Sequence, residues 1–410
     1  MAAPGPGPSL PPLSAFALGR IPRITFGAGS IARLPEIAAS HGRHALLITG
    51  ARSLAAGGRR EALLAGLAAA GVQVAGEALV AGEPSPSLVD RIAAAHRGSV
   101  IDVVIGIGGG SVLDTAKAVA GLLRVDAPVT DFLEGLPGAR PWPGPSVPLV
   151  AVPTTAGTGS EATRNAVISE RGPAGYKRSF RDERLVAADA VVDPDLLAGS
   201  TPVLIATQGM DALTQLLESY TSLRAGPVTD ALALAGLEAA RDGLLAWHAD
   251  PSGPDAPAAR SRMAFAALLS GICLAHAGLG AVHGLASPLG AQLPIPHGAA
   301  CGATLAGVTR ANVEALERRS PDSPALSRYA VLGRLLARLP ASTADAVSRT
   351  ALVETIAAWT TTLAMPGLGA YGLDAAGIPA VVADGRGSSM KTNPVVLTDG
   401  ELAAILAGAL

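Results

Sequence analysis

The amino-acid sequence predicts a protein of two domains: an α/β domain built on a parallel sheet with flanking helices, followed by an all-helical domain. Strand and helix patterns alternate through the first half of the 410 residues, which is typical of a parallel sheet covered by helices. From about Thr201 the segments are instead long, rich in Ala and Leu, and helical in spacing. We place the boundary near residue 199, after VVDPDLLAGS, which gives domains of 13–199 and 200–410.

The elements of the first domain follow from short apolar runs, many ending in glycine, and from helical spacing between them. Buried strands are predicted at HALLITG (44–50), VQVAGEAL (72–79), VIDVVIGIGGGS (100–111) and VPLVAVPTT (147–155). Helices are predicted at REALLAGLAAAG (60–71), Ser85–His96 and DTAKAVAGLL (114–123).

Charge and composition limit the possible partners. The formal net charge is −2, so no basic face for nucleic acid or for an anionic membrane is expected. The stretch from Met263 to Thr309 contains no Asp, Glu, Lys or Arg. Its histidines, prolines and glycines indicate the buried centre of a soluble domain rather than a membrane-spanning helix.

The N-terminus and the cysteines indicate a cytoplasmic protein. Residues 1–12, MAAPGPGPSLPP, have no cationic start and no apolar core, so they do not form a signal peptide, and their Pro and Gly content predicts a disordered tail. The two cysteines, Cys273 and Cys301, imply no disulfide framework, which favours a reducing compartment.

Two motifs of the first domain are candidates for nucleotide binding. In IGIGGGSVLDTAKAV (105–119), a strand breaks into glycines before a helix, an arrangement whose free N–H groups and helix N-terminus attract phosphate. The spacing fits neither G-x-G-x-x-G nor a Walker loop, and a simple glycine turn would give the same pattern. VPTTAGTGSEATRNAVIS (152–169) offers hydroxyls to a nucleotide, although a Ser/Thr-rich turn without a ligand is an equal alternative.

A candidate metal site lies in the second domain. Asp211 and Gln215 in GMDALTQLLESY are four residues apart, so both face the same side of a helix. His283 and His297 are 14 apart, a separation that a helix and its following loop can span. An Asp–Gln–His–His set suits Fe(II), Zn(II), Mn(II) or Co(II), whereas histidines in apolar surroundings are otherwise ordinary core residues.

Taken together, the motifs resemble the iron-containing (group III) alcohol dehydrogenase family. The resemblance rests on GGGSVLDTAKAVA, PTTAGTGSEATRNAVIS, GMDALTQLLESY, AVHGLASPLG and PHG, and it runs from Phe26 to the C-terminal KTNPVVLTDGELAAIL. It implies a dehydroquinate synthase-like architecture, in which the active site lies in the cleft between an α/β nucleotide-binding domain and an all-α metal-binding domain. The implied activity is NAD(P)-dependent hydride transfer between a small alcohol and its aldehyde or ketone.

The resemblance also assigns residues to roles. The implied nucleotide contacts are Ser85, Gly109, Gly110, Ser111, Asp114, Thr154, Thr155, Thr158, Thr163, Lys177 and Leu196. The implied metal ligands are Asp211, Gln215, His283 and His297. The implied pocket residues are Asn165, His276, Leu279, Ser287 and Met390, of which Asn165, His276 and Ser287 are the candidates for catalytic roles.

Two departures from the family pattern affect the chemistry. Gln215 stands where the family usually has His, and a neutral amide oxygen is a poorer donor to Fe(II) or Zn(II). Ser287 stands where the family often has a His implicated in proton transfer, so a relay would run through water, the ribose or another residue. We expect His276, seven residues before His283, to lie on the same helix face and to be a possible substitute.

A third departure concerns the cofactor. NAD-preferring relatives often end the first strand with Asp, whereas this strand ends in Gly50, followed by Arg52 and Ser53. A guanidinium in place of a carboxylate favours NADP(H) over NAD(H).

Alternative functions remain at this point. A metal-independent reductase of the maleylacetate type would need cations for a dicarboxylate, for which Arg164 and Lys391 are the obvious candidates. A sugar-phosphate cyclase of the dehydroquinate synthase type would need several basic residues for a phosphate, and the sparse charge disfavours it. A non-catalytic binding protein would not need the intact glycine and threonine motifs. As in related enzymes, a homodimer or larger assembly is expected.

Overall fold

A computed structural model describes residues 15–54, 58–171 and 175–410. The predicted tail at 1–12 lies outside the described residues. The strands are β1 (Arg23–Phe26), β2 (His44–Gly50), β3 (Gln73–Val80), β4 (Val103–Gly108), β5 (Leu149–Pro153), β6 (Asn165–Glu170), β7 (Tyr176–Arg181) and β8 (Asp189–Val192). Six of them form one sheet in the order β1-β8-β5-β4-β2-β3, and every neighbouring pair in it is parallel.

Helices cover both faces of this sheet, as the alternating pattern predicts. The helices before residue 200 are α1 (Leu34–Ala39), α2 (Arg59–Ala69), α3 (Pro86–His96) and α4 (Gly110–Leu122). Leu46 and Ile48 of β2 pack in one apolar cluster with residues of α3 and α4. Leu47, which points to the opposite face, packs in a second cluster with residues of α1 and α2. The centre of the sheet is therefore buried on both sides, and the inner strands β2, β4, β5 and β8 are almost continuously apolar.

Beyond β8 the described chain is helical. The helices are α5 (Pro202–Thr221), α6 (Pro227–Ala249), α7 (Ala256–Ala277), α8 (Ala281–Gln292), α9 (His297–Arg319), α10 (Pro324–Leu336), α11 (Asp345–Thr362), α12 (Ile378–Asp384) and α13 (Asp399–Ala407). Their inner faces form one large apolar cluster, and the uncharged stretch 263–309 contributes most of α7, all of α8 and the first half of α9 to it. Within the described residues, α7 is the one helix long and apolar enough to cross a bilayer, yet 67% of its most apolar window is buried inside the protein.

All the predicted strands and helices of the first domain are confirmed, with ends shifted by a few residues. The short edge strand β1, the polar hairpin of β6 and β7, and β8 are not among the predictions. The hairpin is antiparallel and lies outside the main sheet, and its charged sequence, YKRSFR in β7, lacks the apolar run that identifies a buried strand. The predicted boundary at 199 lies between β8 and Thr201, which caps α5; the domain limits stay predictions.

Candidate active site

A glycine loop at the carboxyl end of the sheet forms one wall of the site. β4 ends at Gly108 and α4 begins at Gly110, with the intervening Gly109 in an extended conformation. A Cβ on Gly109 would lie 3.2 Å from Thr155 Cγ2, and a Cβ on Gly110 only 2.7 Å from Thr158 Cγ2. Only glycine therefore lets the loop lie this close to the threonine loop that follows β5, and both loops remain half-buried. The cradle and the helix N-terminus fit a pyrophosphate.

The predicted contacts Ser111 and Thr154 lie on the same two loops, both half-buried. The Thr154 N–H donates to the Gly108 carbonyl (2.9 Å), which joins the threonine loop to the end of β4. The open side of this cradle is thus lined by glycine backbone and threonine side chains.

Asp114 and Thr163 lie behind this wall and anchor it. Asp114 accepts hydrogen bonds from Ser160 Oγ (2.5 Å) and from the Val167 N–H (3.0 Å). Lys117, which the sequence analysis did not single out, is fully buried and donates to Thr163 Oγ1 at 2.9 Å. Burial lowers the pKa of Lys117 to about 8, against the opposing effect of Asp114. Both predicted residues thus have protein partners, and their direct contact with a nucleotide stays a prediction.

The remaining predicted cofactor residues occupy different places around the sheet. Gly50 ends β2, and the side chain of Arg52 in the following turn is exposed. Ser85 caps α3 by accepting from the Leu88 N–H at 3.2 Å, and Leu196 is a buried residue of the core beside α1 and α2.

Lys177 on β7 is a predicted cofactor residue that lies close to the second domain. Its ammonium is 3.7 Å from a carboxylate oxygen of Glu83, and it faces α8 near Gly290. Burial raises the pKa of Asp114 and lowers that of His297, and the charge of Lys177 opposes the first shift and adds to the second.

A buried cluster of metal-binding side chains forms the opposite wall. Asp211 Oδ1 lies 3.4 Å from His283 Nε2 and 3.8 Å from His297 Nε2. Asp211 Oδ2 is buried and has no hydrogen-bond partner in the described chain. Such an atom is costly unless something binds it, so the cluster fits a divalent cation. The structure thus brings these three predicted ligands together, one each from α5, α8 and α9.

Gln215, the fourth predicted ligand, lies one turn after Asp211 on α5 and is held by two hydrogen bonds. Its Nε2 donates to Asp211 Oδ1 (3.1 Å), and its Oε1 accepts from Ser270 Oγ on α7 (2.7 Å). In this orientation the amide positions the carboxylate, and its oxygen faces away from Asp211.

Two residues that the sequence analysis did not assign to the metal site complete the cluster. Glu218, seven residues after Asp211 on α5, accepts a 2.6 Å hydrogen bond from His283 Nδ1. This bond fixes the imidazole and leaves Nε2 free to face a cation, as in the carboxylate–histidine–metal arrangement. Cys301 Sγ lies 3.9 Å from Nε2 of both histidines, and its donor atom belongs to the same group as those of Asp211, His283 and His297.

Burial controls the protonation of the cluster. It lowers the pKa of His297 to about 3 despite the attraction of Asp211, so this imidazole is neutral and its nitrogens can bind a cation. Burial also opposes the charged form of His283, but Cys301 and Glu218 outweigh it and raise the pKa of His283. Burial raises the pKa of the Cys301 thiol to about 11. Binding of a dication would therefore release protons from this cluster.

The three candidate catalytic residues lie in separate elements. Asn165 begins β6, and its side-chain oxygen accepts from Arg181 Nε at 2.8 Å. Ser287 lies one turn after His283 on α8 and is half-buried. The expectation that His276 shares a helix face with His283 is wrong: His276 is in α7, which ends at Ala277, and Gly278 with φ +79° breaks the chain before α8.

The other two pocket residues, Leu279 and Met390, lie near the start of α8. The Leu279 carbonyl accepts a hydrogen bond from Thr392 in the turn that follows α12. The side chain of Met390 packs against α8 so closely that a Cβ on Gly284 would lie 2.7 Å from its Cε.

Comparison with known proteins gives consistent matches to one family. Residues 22–194 match the family model described as iron-containing alcohol dehydrogenase, and residues 205–410 match the model of the C-terminal part of the same family. The chain is 35% identical over 288 residues to long-chain-alcohol dehydrogenase 1 of Geobacillus thermodenitrificans, across 70% of this chain and 69% of that protein.

Solved structures agree over almost the full length. A crystal structure of a 1,3-propanediol oxidoreductase has a TM-score of 0.85 and 28% identity, covering 97% of this chain and 100% of that one. Sulfoacetaldehyde reductase from Bifidobacterium kashiwanohense, solved in complex with NAD+, has a TM-score of 0.81 and 25% identity, covering 97% of this chain and 99% of that one. With the glycine cradle and the buried donor cluster, these matches establish that the chain belongs to the iron-containing alcohol dehydrogenase family.

Proposed function

We propose that this protein interconverts a small alcohol and its aldehyde or ketone by hydride transfer, using a nicotinamide dinucleotide and a divalent metal ion. The observation that carries the proposal is the pairing of two walls. The glycine and threonine loops of the sheet fit a pyrophosphate, and the buried donor cluster of the helices fits a dication. Lys177 on β7 faces α8 of the helical domain near Gly290. Members of the family, one of them solved with NAD+, catalyse this class of reaction.

Asp211, His283 and His297 would hold the cation, and it would supply Lewis-acid polarisation of a substrate oxygen when bound. The chain's own contribution is orientation. Glu218 fixes the ring of His283, and Gln215 fixes Asp211 through one carboxylate oxygen. Because the Asp211 and His283 side chains are 1% and 6% exposed, the donors lie in a medium of low polarity that strengthens their interaction with charge. Fe(II) and Zn(II) are the cations that we expect.

For the cofactor we propose NADP(H) in preference to NAD(H). The turn after β2 presents the exposed guanidinium of Arg52 and contains no carboxylate at Gly50. A 2′-phosphate would therefore meet a cation rather than an anion at this turn. Lys177 and the loop threonines would bind the remainder of the nucleotide.

The proton of the alcohol needs a path from the cleft. Ser287, one turn after His283 on α8, would pass it to water through its hydroxyl. His276 is an alternative, because the 2.7 Å bond from its Nδ1 to the Ile272 carbonyl leaves Nε2 as an acceptor. Asn165 would line the pocket beside the nicotinamide, and Leu279 and Met390 would line its apolar side.

Gln215 favours one second candidate, a metal-independent reductase of the maleylacetate type. Its dicarboxylate substrate would need unpaired cations in the cleft. Arg164, however, is already paired with Glu183, and Lys391 is exposed. These contacts favour a neutral alcohol–aldehyde pair as the substrate. We further expect a cytoplasmic enzyme that works as a homodimer or larger assembly.

The test is a reductase assay with a panel of aldehydes, using NADPH and NADH separately, on metal-stripped protein and on protein reloaded with Fe(II) or Zn(II). We expect turnover only in the reloaded protein, with NADPH as the better donor and with loss of both metal and turnover in Asp211→Ala. The substitution Asp374→Ala, at an exposed residue far along the chain, is the matched control. Turnover that is unaffected by chelation and best with maleylacetate would overturn the proposal.

A further inference from the structure

The buried donor cluster contains Cys301, a metal-binding side chain that is not among the four predicted ligands. We propose that Cys301 is a metal ligand in this protein, so that the cation is held by Asp211, His283, His297 and the Cys301 thiolate, while Gln215 acts from outside the ligand shell. This inference rests on the proposed metal-assisted function and names the ligands of the same site.

The distances support a four-ligand site. Tetrahedral sites with bonds of about 2.0–2.3 Å have ligand–ligand edges of about 3.3–3.6 Å. Cys301 Sγ is 3.9 Å from both His283 Nε2 and His297 Nε2, and all four donor atoms lie within 4.8 Å of one another. The two sulfur–histidine distances would shorten by a few tenths of an ångström and no donor pair by more than about 1.5 Å, which side-chain torsions can supply, to close the group around an ion.

The fold brings Cys301 to this place through close helix packing. Cys301 lies one turn after His297 on α9, so both side chains face the same side of the helix. A Cβ on Gly298 would lie 2.1 Å from the Thr207 carbonyl oxygen of α5. The absence of a side chain there lets the first turns of α9 lie directly against the segment of α5 that carries Asp211.

Gln215 is the weaker candidate for the fourth position. Both of its amide atoms are already used, because Nε2 donates to Asp211 Oδ1 and Oε1 accepts from Ser270 Oγ. Coordination through its oxygen would require the amide to turn over, leaving Ser270 to accept from the nitrogen. A neutral amide would also leave Asp211 as the single anion against a dication, whereas a thiolate adds a second anion and a stronger donor.

A thiolate ligand changes which ion the site prefers. Soft sulfur donors favour Zn(II), whereas hard oxygen donors suit Mg(II) and Mn(II). His297 is the most exposed of the ligands, with 29% of its side chain accessible, so the side of the site near His297 stays open to the cleft.

The test is Co(II) substitution of the full-length protein, followed by absorption spectroscopy. We expect one Co(II) per chain and a near-ultraviolet band from sulfur-to-cobalt charge transfer. The band should disappear in Cys301→Ser and persist in Cys273→Ser. Since the chain has two cysteines, and the Cys273 thiol is buried elsewhere against the Thr229 carbonyl (3.5 Å), Cys273→Ser is the matched control. X-ray absorption of the Zn(II) form should contain a sulfur neighbour at about 2.3 Å.

A second variant, Gln215→Ala, tests whether Gln215 acts from outside the ligand shell. Outer-shell changes typically weaken metal binding about 10- to 100-fold, so Gln215→Ala should reduce Zn(II) affinity within that range and keep the charge-transfer band. Cys301→Ser should reduce the affinity by more. One Co(II) per chain without a charge-transfer band would refute the Cys301 ligand and leave the proposed function intact. Failure of the wild-type protein to bind Co(II) or Zn(II) would refute both.

Discussion

Replacing Glu218 with Gln tests how the metal cluster is held in position. The Glu218 carboxylate accepts from two donors, the His283 Nδ1–H at 2.6 Å and the Val282 N–H at 2.7 Å. Glutamine has the same size but only one acceptor oxygen. One of the two buried donors must then face the amide NH₂ group, where it has no acceptor.

The expected loss of free energy follows from that single unpaired donor. A buried polar group that loses its partner costs about 1–3 kcal/mol, which corresponds to a factor of about 5 to 150 in an equilibrium constant at about 1.4 kcal/mol per tenfold change. If the amide keeps the His283 bond, the loss appears as a lower free energy of unfolding of the metal-free protein. If it keeps the Val282 bond, the imidazole loses its orientation and the loss appears as weaker Zn(II) binding.

Both quantities can be measured on the same preparation, by urea unfolding of the stripped protein and by Zn(II) titration against a competing chelator. The control is Glu354→Gln, an exposed position on α11, which should change neither quantity. A Glu218→Gln protein with wild-type unfolding free energy and wild-type Zn(II) affinity would show that the carboxylate does not hold His283 in position.

Three further predictions concern the cofactor and the buried charges. Arg52→Ala should lower the ratio of kcat/KM for NADPH to that for NADH about 10-fold, the usual scale for one charge-assisted contact of about 1.5 kcal/mol, and an unchanged ratio would contradict the assigned 2′-phosphate contact. Gly110→Ala should raise the KM for the cofactor, because the new methyl group would lie 2.7 Å from Thr158 Cγ2, and an unaltered KM with intact folding would contradict the close approach. Burial raises the pKa of Glu161 from 4.5 to about 7, so the folded protein keeps a proton that the unfolded chain loses between those values, and stability from this group falls as pH rises through that window. Melting curves of Glu161→Gln should therefore match wild type at pH 4.5 and lie above it at pH 8; an equal difference at both pH values would contradict the assigned shift.

The sequence predicts those parts of the fold that rest on local patterns. The apolar runs of β2 and β4 are continuous because parallel strands are buried on both faces, and this pattern is visible in one chain without its partners. The hairpin of β6 and β7 is different. Its second strand is charged, and its first strand is joined to α4 through Lys117, a buried lysine that donates to the Asn165 carbonyl at the start of β6 (2.7 Å). No local pattern distinguishes such a lysine from a solvated one.

The candidate site also has residues that the sequence predicts and residues that only the structure identifies. Asp211, His283 and His297 follow from motifs, and the structure groups them. Glu218 lies within the quoted stretch GMDALTQLLESY but was not assigned a role, and Cys301 follows the PHG motif. Their spacing contains the signal, because each lies a whole number of turns after a predicted ligand on its own helix. The expectation for His276 failed for a local reason, since Gly278 ends α7 and turns the chain before α8 begins.

The two unusual residues of the cluster are connected by geometry. Gln215 lies one turn after Asp211 on α5, and Cys301 lies one turn after His297 on α9, so two facing helices each present a pair at the same spacing. If the fourth ligand has moved from α5 to α9, returning it should be possible. We expect Gln215→His to restore, in the Cys301→Ser background, most of the Zn(II) affinity that Cys301→Ser loses, because an imidazole at 215 can use Ser270 as its outer partner. The same change in the wild-type background should add little, since four ligands already surround the ion. Chelator competition on the four proteins of this cycle measures the coupling directly. Independent, additive effects would mean that the two positions do not share one coordination site.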